Sequence, residues 1–118
     1  SSMSPMVVLD KQGNVKLLVG SPGGARIIGY VTQYLLAVLD WNIAPERAAE
    51  WPHFINMNSD TQLEDVPESR AIGAALQAKG HTVTYTRMPS GVHAVIVRQD
   101  GTLIGAADPR RDGVVIKR

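Results

Sequence analysis

Two short apolar runs open the chain, Met6-Val7-Val8-Leu9 and Val15-Lys16-Leu17-Leu18-Val19, with Asp10-Lys11-Gln12-Gly13-Asn14 between them. Two such runs around a turn containing glycine and asparagine predict a β-hairpin. Their nearly continuous apolar character predicts strands covered on both faces. The pattern then changes period. Ile27, Ile28, Val31, Leu35, Val38 and Leu39 recur at three- and four-residue steps, which predicts a helix over about 24–40. Residues 44–50 read as a short second helix, with Pro45 near its start and Glu46 in its first turn; Trp51-Pro52 stops it.

The middle of the chain is less regular. Residues 54–57 suit a short strand, and 61–65 a short exposed strand or loop. A third helix is predicted over 67–79, with Asp65 and Glu68 as a possible capping box and Gly80 as its C-terminal stop. Thr82, Thr84 and Thr86 alternate with Val83 and Tyr85, the pattern of an edge-like or half-buried strand. A loop over 88–91 leads to a strand over 92–98, and Asp100-Gly101 turns it into a last strand over 102–107. The elements together predict an α+β fold of antiparallel strands with three helices, organised as one domain over 1–118.

The chemistry concentrates where the hairpin meets the first helix, at Gly20-Ser21-Pro22-Gly23-Gly24. Ser21 suits a helix cap and Pro22 the first helical position, where no amide hydrogen is needed. Gly23 and Gly24 then place two N–H groups in the first turn, unshielded by any Cβ. First-turn N–H groups lack intrahelical partners, and the helix dipole adds positive potential. Such a turn suits an anion or negative charge developing in a reaction. The same glycines equally suit a tightly packed turn with no ligand, and the residues alone leave both readings open. The spacing fits neither a Walker loop nor a dinucleotide fingerprint.

Composition narrows the field of partners. The chain has 118 residues, 44% hydrophobic and 19% charged, with a net charge of +1 and no cysteine. There is no pull toward nucleic acid or anionic membrane and no thiol chemistry. No apolar run reaches the length of a membrane span. His53 stands beside Pro52 and Trp51, far in sequence from His81 and His93. It reads as a packed or surface residue, and no metal site is assigned.

Ser1-Ser2-Met3-Ser4-Pro5, then Gly20-Ser21-Pro22-Gly23-Gly24-Ala25-Arg26-Ile27-Ile28, then Asp108-Pro109-Arg110 follow one another along the chain. In that order they resemble γ-glutamyltransferase (γ-glutamyltranspeptidase, glutathione hydrolase), in the later part of its small subunit. The resemblance runs along nearly the whole chain. It implies part of the αββα sandwich of the N-terminal-nucleophile hydrolases. It also implies transfer or hydrolysis of the γ-glutamyl group of glutathione and related compounds through a threonine acyl-enzyme, with no cofactor. In such an enzyme the pair matching Gly23 and Gly24 forms the oxyanion hole, and the pair matching Ser1 and Ser2 holds the substrate α-carboxylate. The hairpin would bring these two pairs together, since one precedes its first strand and the other follows its second.

This sequence departs from the family pattern in two places. Many relatives have Pro-Arg where this chain has Pro52-His53. The family's catalytic threonine lies upstream of the serine pair, where this chain starts. The resemblance therefore implies a C-terminal fragment, inactive alone, whose partners are the large subunit and the upstream part of the small subunit. The implied compartment is periplasmic or secreted. A fragment of a sandwich should also self-associate through its unpaired sheet. Two alternatives stay open: an acylase of the same family, such as one acting on cephalosporins, and a non-catalytic module binding a small anion.

Overall fold

The computed structural model describes residues 2–117. They divide into two compact units. The first joins residues 1–51 to 89–118, and the second is 52–88.

The first unit is built on a four-stranded antiparallel sheet. Its strands are β1 (Met6–Leu9), β2 (Val15–Gly20), β6 (His93–Val97) and β7 (Leu103–Ala107), in the order β1-β2-β6-β7. Both hairpin turns lie where the sequence puts them. Asp10 Oδ1 accepts the N–H groups of Gln12 and Asn14, both at 2.9 Å, and Gly13 takes φ +85°. Asp100 Oδ1 accepts the Thr102 N–H at 2.8 Å, and Gly101 takes φ +86°. In each turn the aspartate side chain stands in for a backbone acceptor, which is why this residue type suits the position.

Helices α1 (Ile27–Leu39) and α2 (Pro45–Glu50) pack on this sheet, α1 against β2 and α2 against β6 and β7. The buried residues of α1 include Ile27, Tyr30, Val31, Tyr34 and Ala37, which share one stripe of the helix. The Tyr34 hydroxyl donates to the Pro45 carbonyl at 3.1 Å, joining the two helices. Burial first, and the charge of Glu46 second, push its phenol pKa up. On the covered face lie Leu17, Val19, Ala94 and Ala106, all nearly inaccessible.

The other face corrects the expectation of strands covered on both sides. Leu18 is 40% exposed between Leu17 at 1% and Val19 at 5%. Val7 and Leu103 also stay exposed. Among the described residues, the C-terminal segment crosses this face: a Cβ on Gly105 would lie 2.8 Å from the Val115 side chain. The result is a groove of about 1020 Å³, lined by residues that include Val7, Leu18, Val95 and Leu103. Apolar strands do not by themselves say how many layers cover them, because the pattern records what burial would favour and not what is present to bury it.

The second unit has a three-stranded sheet in the order β3 (Phe54–Asn56), β4 (Thr61–Glu64), β5 (Val83–Thr86), with α3 (Ser69–Ala78) against β4 and β5. Three expectations change here. Residues 61–64 are the central strand and not an exposed edge: Thr61, Leu63 and Glu64 are buried. Strands β4 and β5 pair in parallel, so not every strand is antiparallel. A helix-length connection is what permits this, since parallel neighbours need a crossover. The capping box does not form: Asp65 pairs with Arg70, and Glu68 makes no side-chain cap to α3.

Gly80 does end α3. It takes φ +94°, its N–H donates to the Gln77 carbonyl at 2.9 Å, and the His81 N–H donates to the Leu76 carbonyl at 3.0 Å. These are the two bonds of a Schellman cap. The Arg70 guanidinium stacks 3.8 Å from the centroid of the Tyr85 ring, and a Cβ on Gly73 would collide with the Tyr85 hydroxyl.

Ser69 is 2% exposed, and its hydroxyl has no hydrogen-bond partner among the described residues. A buried unpaired hydroxyl costs free energy that an apolar side chain avoids. Ser69→Ala is therefore expected to leave the urea midpoint unchanged or raise it. A drop of more than about 1 kcal/mol would mean that the hydroxyl has a partner after all.

Candidate functional site

The turn between β2 and α1 is built from local geometry and from one long-range brace. Gly23 adopts φ +135°, ψ +16°, and Gly24 adopts φ +61°. Two consecutive positive φ values favour glycine at both positions. Space imposes a second requirement on Gly23. A Cβ there would lie 2.6 Å from the Tyr30 ring, whereas one on Gly24 would meet nothing within 4 Å. Gly23 is thus fixed by packing as well as by dihedral, and Gly24 by dihedral alone.

The helix start differs from the expected one. Gly24–Arg26 forms a single 3₁₀ turn before α1 proper, and Gly23 is the capping residue of that turn. Ser21 does not cap it. Its hydroxyl donates to the Pro22 carbonyl at 2.7 Å and accepts the Gly91 N–H at 3.1 Å. Pro22 accordingly precedes the helix and does not open it. A cap needs Ser21 next to the first turn, and the two-residue Pro22-Gly23 step moves it away. Among the described residues, the N–H groups of Gly23 and Gly24 meet no hydrogen-bond acceptor.

The hairpin register sets the neighbourhood. Met6 pairs with Val19, so the start of β1 lies beside the end of β2, from which the glycine turn leaves. Ser2 is half-buried, and its carbonyl accepts the Ser4 hydroxyl at 3.0 Å. Ser1 lies outside the described residues. The antiparallel pairing thus puts the first residue of β1 and the last residues of β2 at the same end of the sheet.

Behind the turn stands a buried carboxylate, Asp108, in the third of the strings that carry the resemblance. Asp108 is fully buried. It accepts the Ser90 hydroxyl, the Val92 N–H at 3.1 Å, the Arg110 N–H at 3.0 Å and the Arg110 guanidinium at 2.9 Å. Arg110 also donates to the carbonyls of Ala49 at 3.0 Å and Trp51 at 3.0 Å, at the C-terminus of α2. A cation there satisfies last-turn carbonyls and complements the helix dipole. These contacts tie the segment after β7 to the end of α2.

His53 is buried, and its N–H donates to Glu64 Oε1 at 3.1 Å. Among the described residues, no group of three His, Cys, Asp or Glu could hold a metal ion. No helix is long and apolar enough to cross a membrane.

The two glycines should respond differently to substitution. Gly24→Ala is expected to cost about 1–2 kcal/mol, the left-handed penalty for an L-residue. Gly23→Ala should cost clearly more, because a collision with Tyr30 adds to the dihedral penalty. Urea unfolding of the two variants decides this, and equal costs would show that the Tyr30 contact is unimportant.

Comparison with known proteins agrees with this fold. Residues 1–117 match the profile of the gamma-glutamyltranspeptidase family. The acylase ACY 1 proenzyme of Pseudomonas sp. strain SE83 is 35% identical over 98% of this chain and 21% of its own length. The glutathione hydrolase proenzyme of Escherichia coli K12 is 34% identical over 93% of this chain and 19% of its own. The chain thus spans about a fifth of the length of these curated relatives. Among solved structures, the gamma-glutamyltranspeptidase of Pseudomonas nitroreducens complexed with L-DON superposes with a TM-score of 0.87. It is 29% identical and covers 100% of this chain and 63% of that one. The mixed α/β architecture is therefore that of part of an N-terminal-nucleophile hydrolase, and the chain belongs to the gamma-glutamyltranspeptidase family.

Proposed function

We propose that this chain supplies the oxyanion hole and part of the carboxylate grip of an enzyme that transfers or hydrolyses γ-glutamyl groups. One observation carries the reading: Gly23 and Gly24 are adjacent positive-φ residues whose N–H groups have no acceptor among the described residues. In the intact enzyme, a threonine hydroxyl outside this chain attacks the γ-amide carbonyl. The carbonyl oxygen gains negative charge, and the Gly23 and Gly24 amides receive it. The amine leaves with a proton, giving an acyl-enzyme. Water or an acceptor amine then attacks the ester, and the threonine hydroxyl is restored. Ser1 and Ser2 donate to the substrate α-carboxylate, since charge-assisted hydrogen bonds suit a fixed anion. No cofactor takes part. The large subunit and the upstream part of the small subunit complete the site, in a periplasmic or secreted enzyme.

A second reading has its own support. The acylase from Pseudomonas sp. strain SE83 is as similar to this chain as the glutathione hydrolase from Escherichia coli. The same oxyanion hole would serve a different acyl group, because a tetrahedral intermediate needs the same two donors whatever its acyl chain. A non-catalytic anion-binding turn is the third reading. It predicts binding without turnover by the full-length protein.

Four measurements test the proposal. Replacing the Gly23–Gly24 peptide link by an ester removes the Gly24 N–H with little change in shape. In the full-length enzyme this should lower kcat about 10²- to 10³-fold on a γ-glutamyl anilide, and an unchanged kcat would remove the oxyanion hole from this turn. Ser1→Ala combined with Ser2→Ala should weaken substrate binding, and unchanged KM and kcat would show that the pair does not touch the carboxylate. The 118-residue chain by itself should release no anilide above a buffer blank. The same isolated chain should self-associate through its open apolar sheet face. A monomer over a wide concentration range in analytical ultracentrifugation would contradict that.

A further inference from the structure

The glycine turn is held at a distance of 70 residues. The Gly91 N–H donates to Ser21 Oγ at 3.1 Å, and the Ser21 hydroxyl donates in turn to the Pro22 carbonyl at 2.7 Å. The Pro22 carbonyl belongs to the peptide link that enters Gly23. Ser21 therefore fixes the orientation of the peptide plane that carries the Gly23 N–H.

Gly91 is itself immobilised on all sides. Asp108 accepts from Ser90 on one side of it and from Val92 on the other. The Arg111 guanidinium donates to the Pro89 carbonyl through Nε at 3.0 Å and a terminal nitrogen at 2.8 Å. A Cβ on Gly91 would lie 2.8 Å from Arg111 Cδ and 2.9 Å from Pro22 Cγ. The segment thus presses directly on the Pro22 ring as well as bonding to Ser21. From the opposite direction, the Tyr30 ring closes on Gly23. The turn is held between α1 and the segment that enters β6, and Ser21 provides a hydrogen-bonded link to that segment.

We infer that Ser21 is a positioning residue for the reaction, holding the Gly23 and Gly24 amides at the point where the oxyanion forms. This rests on the assignment of those amides to the oxyanion hole. Its consequence is specific. A donor displaced by part of an ångström still permits substrate binding, because ground-state contacts lie elsewhere, but it stabilises the tetrahedral intermediate less well. Loss of the Ser21 hydroxyl should therefore appear in kcat and not in KM.

The test uses the full-length enzyme and a γ-glutamyl anilide, with rates normalised to the amount of processed protein so that a maturation defect does not enter kcat. Ser21→Ala should lower kcat by about 10- to 10²-fold, the scale of a small misplacement, with KM within about twofold of the parent. Ser21→Thr, which keeps the hydroxyl, should restore most of the rate. Gly91→Ala, which keeps the serine but pushes on Pro22 and displaces the donor to Ser21, should show the same loss in kcat. A Ser21→Ala enzyme with unchanged kcat, or a loss that Ser21→Thr does not relieve, overturns the inference. A loss confined to KM does so as well. The Gly23–Gly24 ester separates this failure from failure of the parent reading. A slow ester with a fast Ser21→Ala enzyme removes the brace alone, whereas a fast ester removes the oxyanion hole on which it rests.

Discussion

The buried carboxylate of Asp108 is the constraint on which the first unit depends. A charge taken out of water is tolerated only when it is paired and hydrogen-bonded. Asp108 meets that demand with a hydroxyl, two backbone N–H groups and a guanidinium, drawn from Ser90, Val92 and Arg110. The partners tie three elements to one point. Ser90 and Val92 hold the entry to β6, Asp108 itself follows β7, and Arg110 carries the connection on to the end of α2. Breaking such a buried pair from one side typically costs about 3–5 kcal/mol, more than any surface ion pair in the chain contributes. Arg47 with Glu50 and Arg70 with Asp65, both largely exposed, belong to that weaker class.

The same point reaches the glycine turn through Gly91. A tight, doubly positive-φ turn has few native-like alternatives, but it needs external walls to hold one orientation. Tyr30 supplies one wall by contact with Gly23, and the Gly91 segment supplies the other by contact with Pro22 and a bond to Ser21. Rigid donors are what an oxyanion hole requires, since donors that must reorient during the reaction lose part of their effect. The geometry of the turn and the buried carboxylate behind it are therefore parts of one arrangement.

The sheet of the first unit has an asymmetric environment. Its helical face is packed to near-zero exposure at Leu17, Val19, Ala94 and Ala106, whereas Leu18 and Val7 on the opposite face remain open. A two-sheet sandwich has an inner face of this kind on each sheet. The chain covers about a fifth of the curated relatives' length.

Much of this was legible in the sequence. The hairpin over 6–20, the period of Ile27, Val31, Leu35 and Val38, the stop at Gly80 and the glycine turn itself are local patterns, and local sterics and hydrogen bonding decide them. The family, too, was readable from three strings in order. What the sequence left undecided depends on residues far apart in the chain. Ser21 looked like a helix cap because its neighbours are cap-like; only the approach of Gly91 gives its hydroxyl another role. Residues 61–64 looked exposed because Thr, Gln and Glu are polar, yet pairing with β3 and β5 makes them a central strand. The apolar strands looked covered on both faces, and the tertiary structure decided which face received the helices. Periodicity reports a residue's preference for burial, but which surface meets it, and from which distant segment, is fixed only when the chain folds.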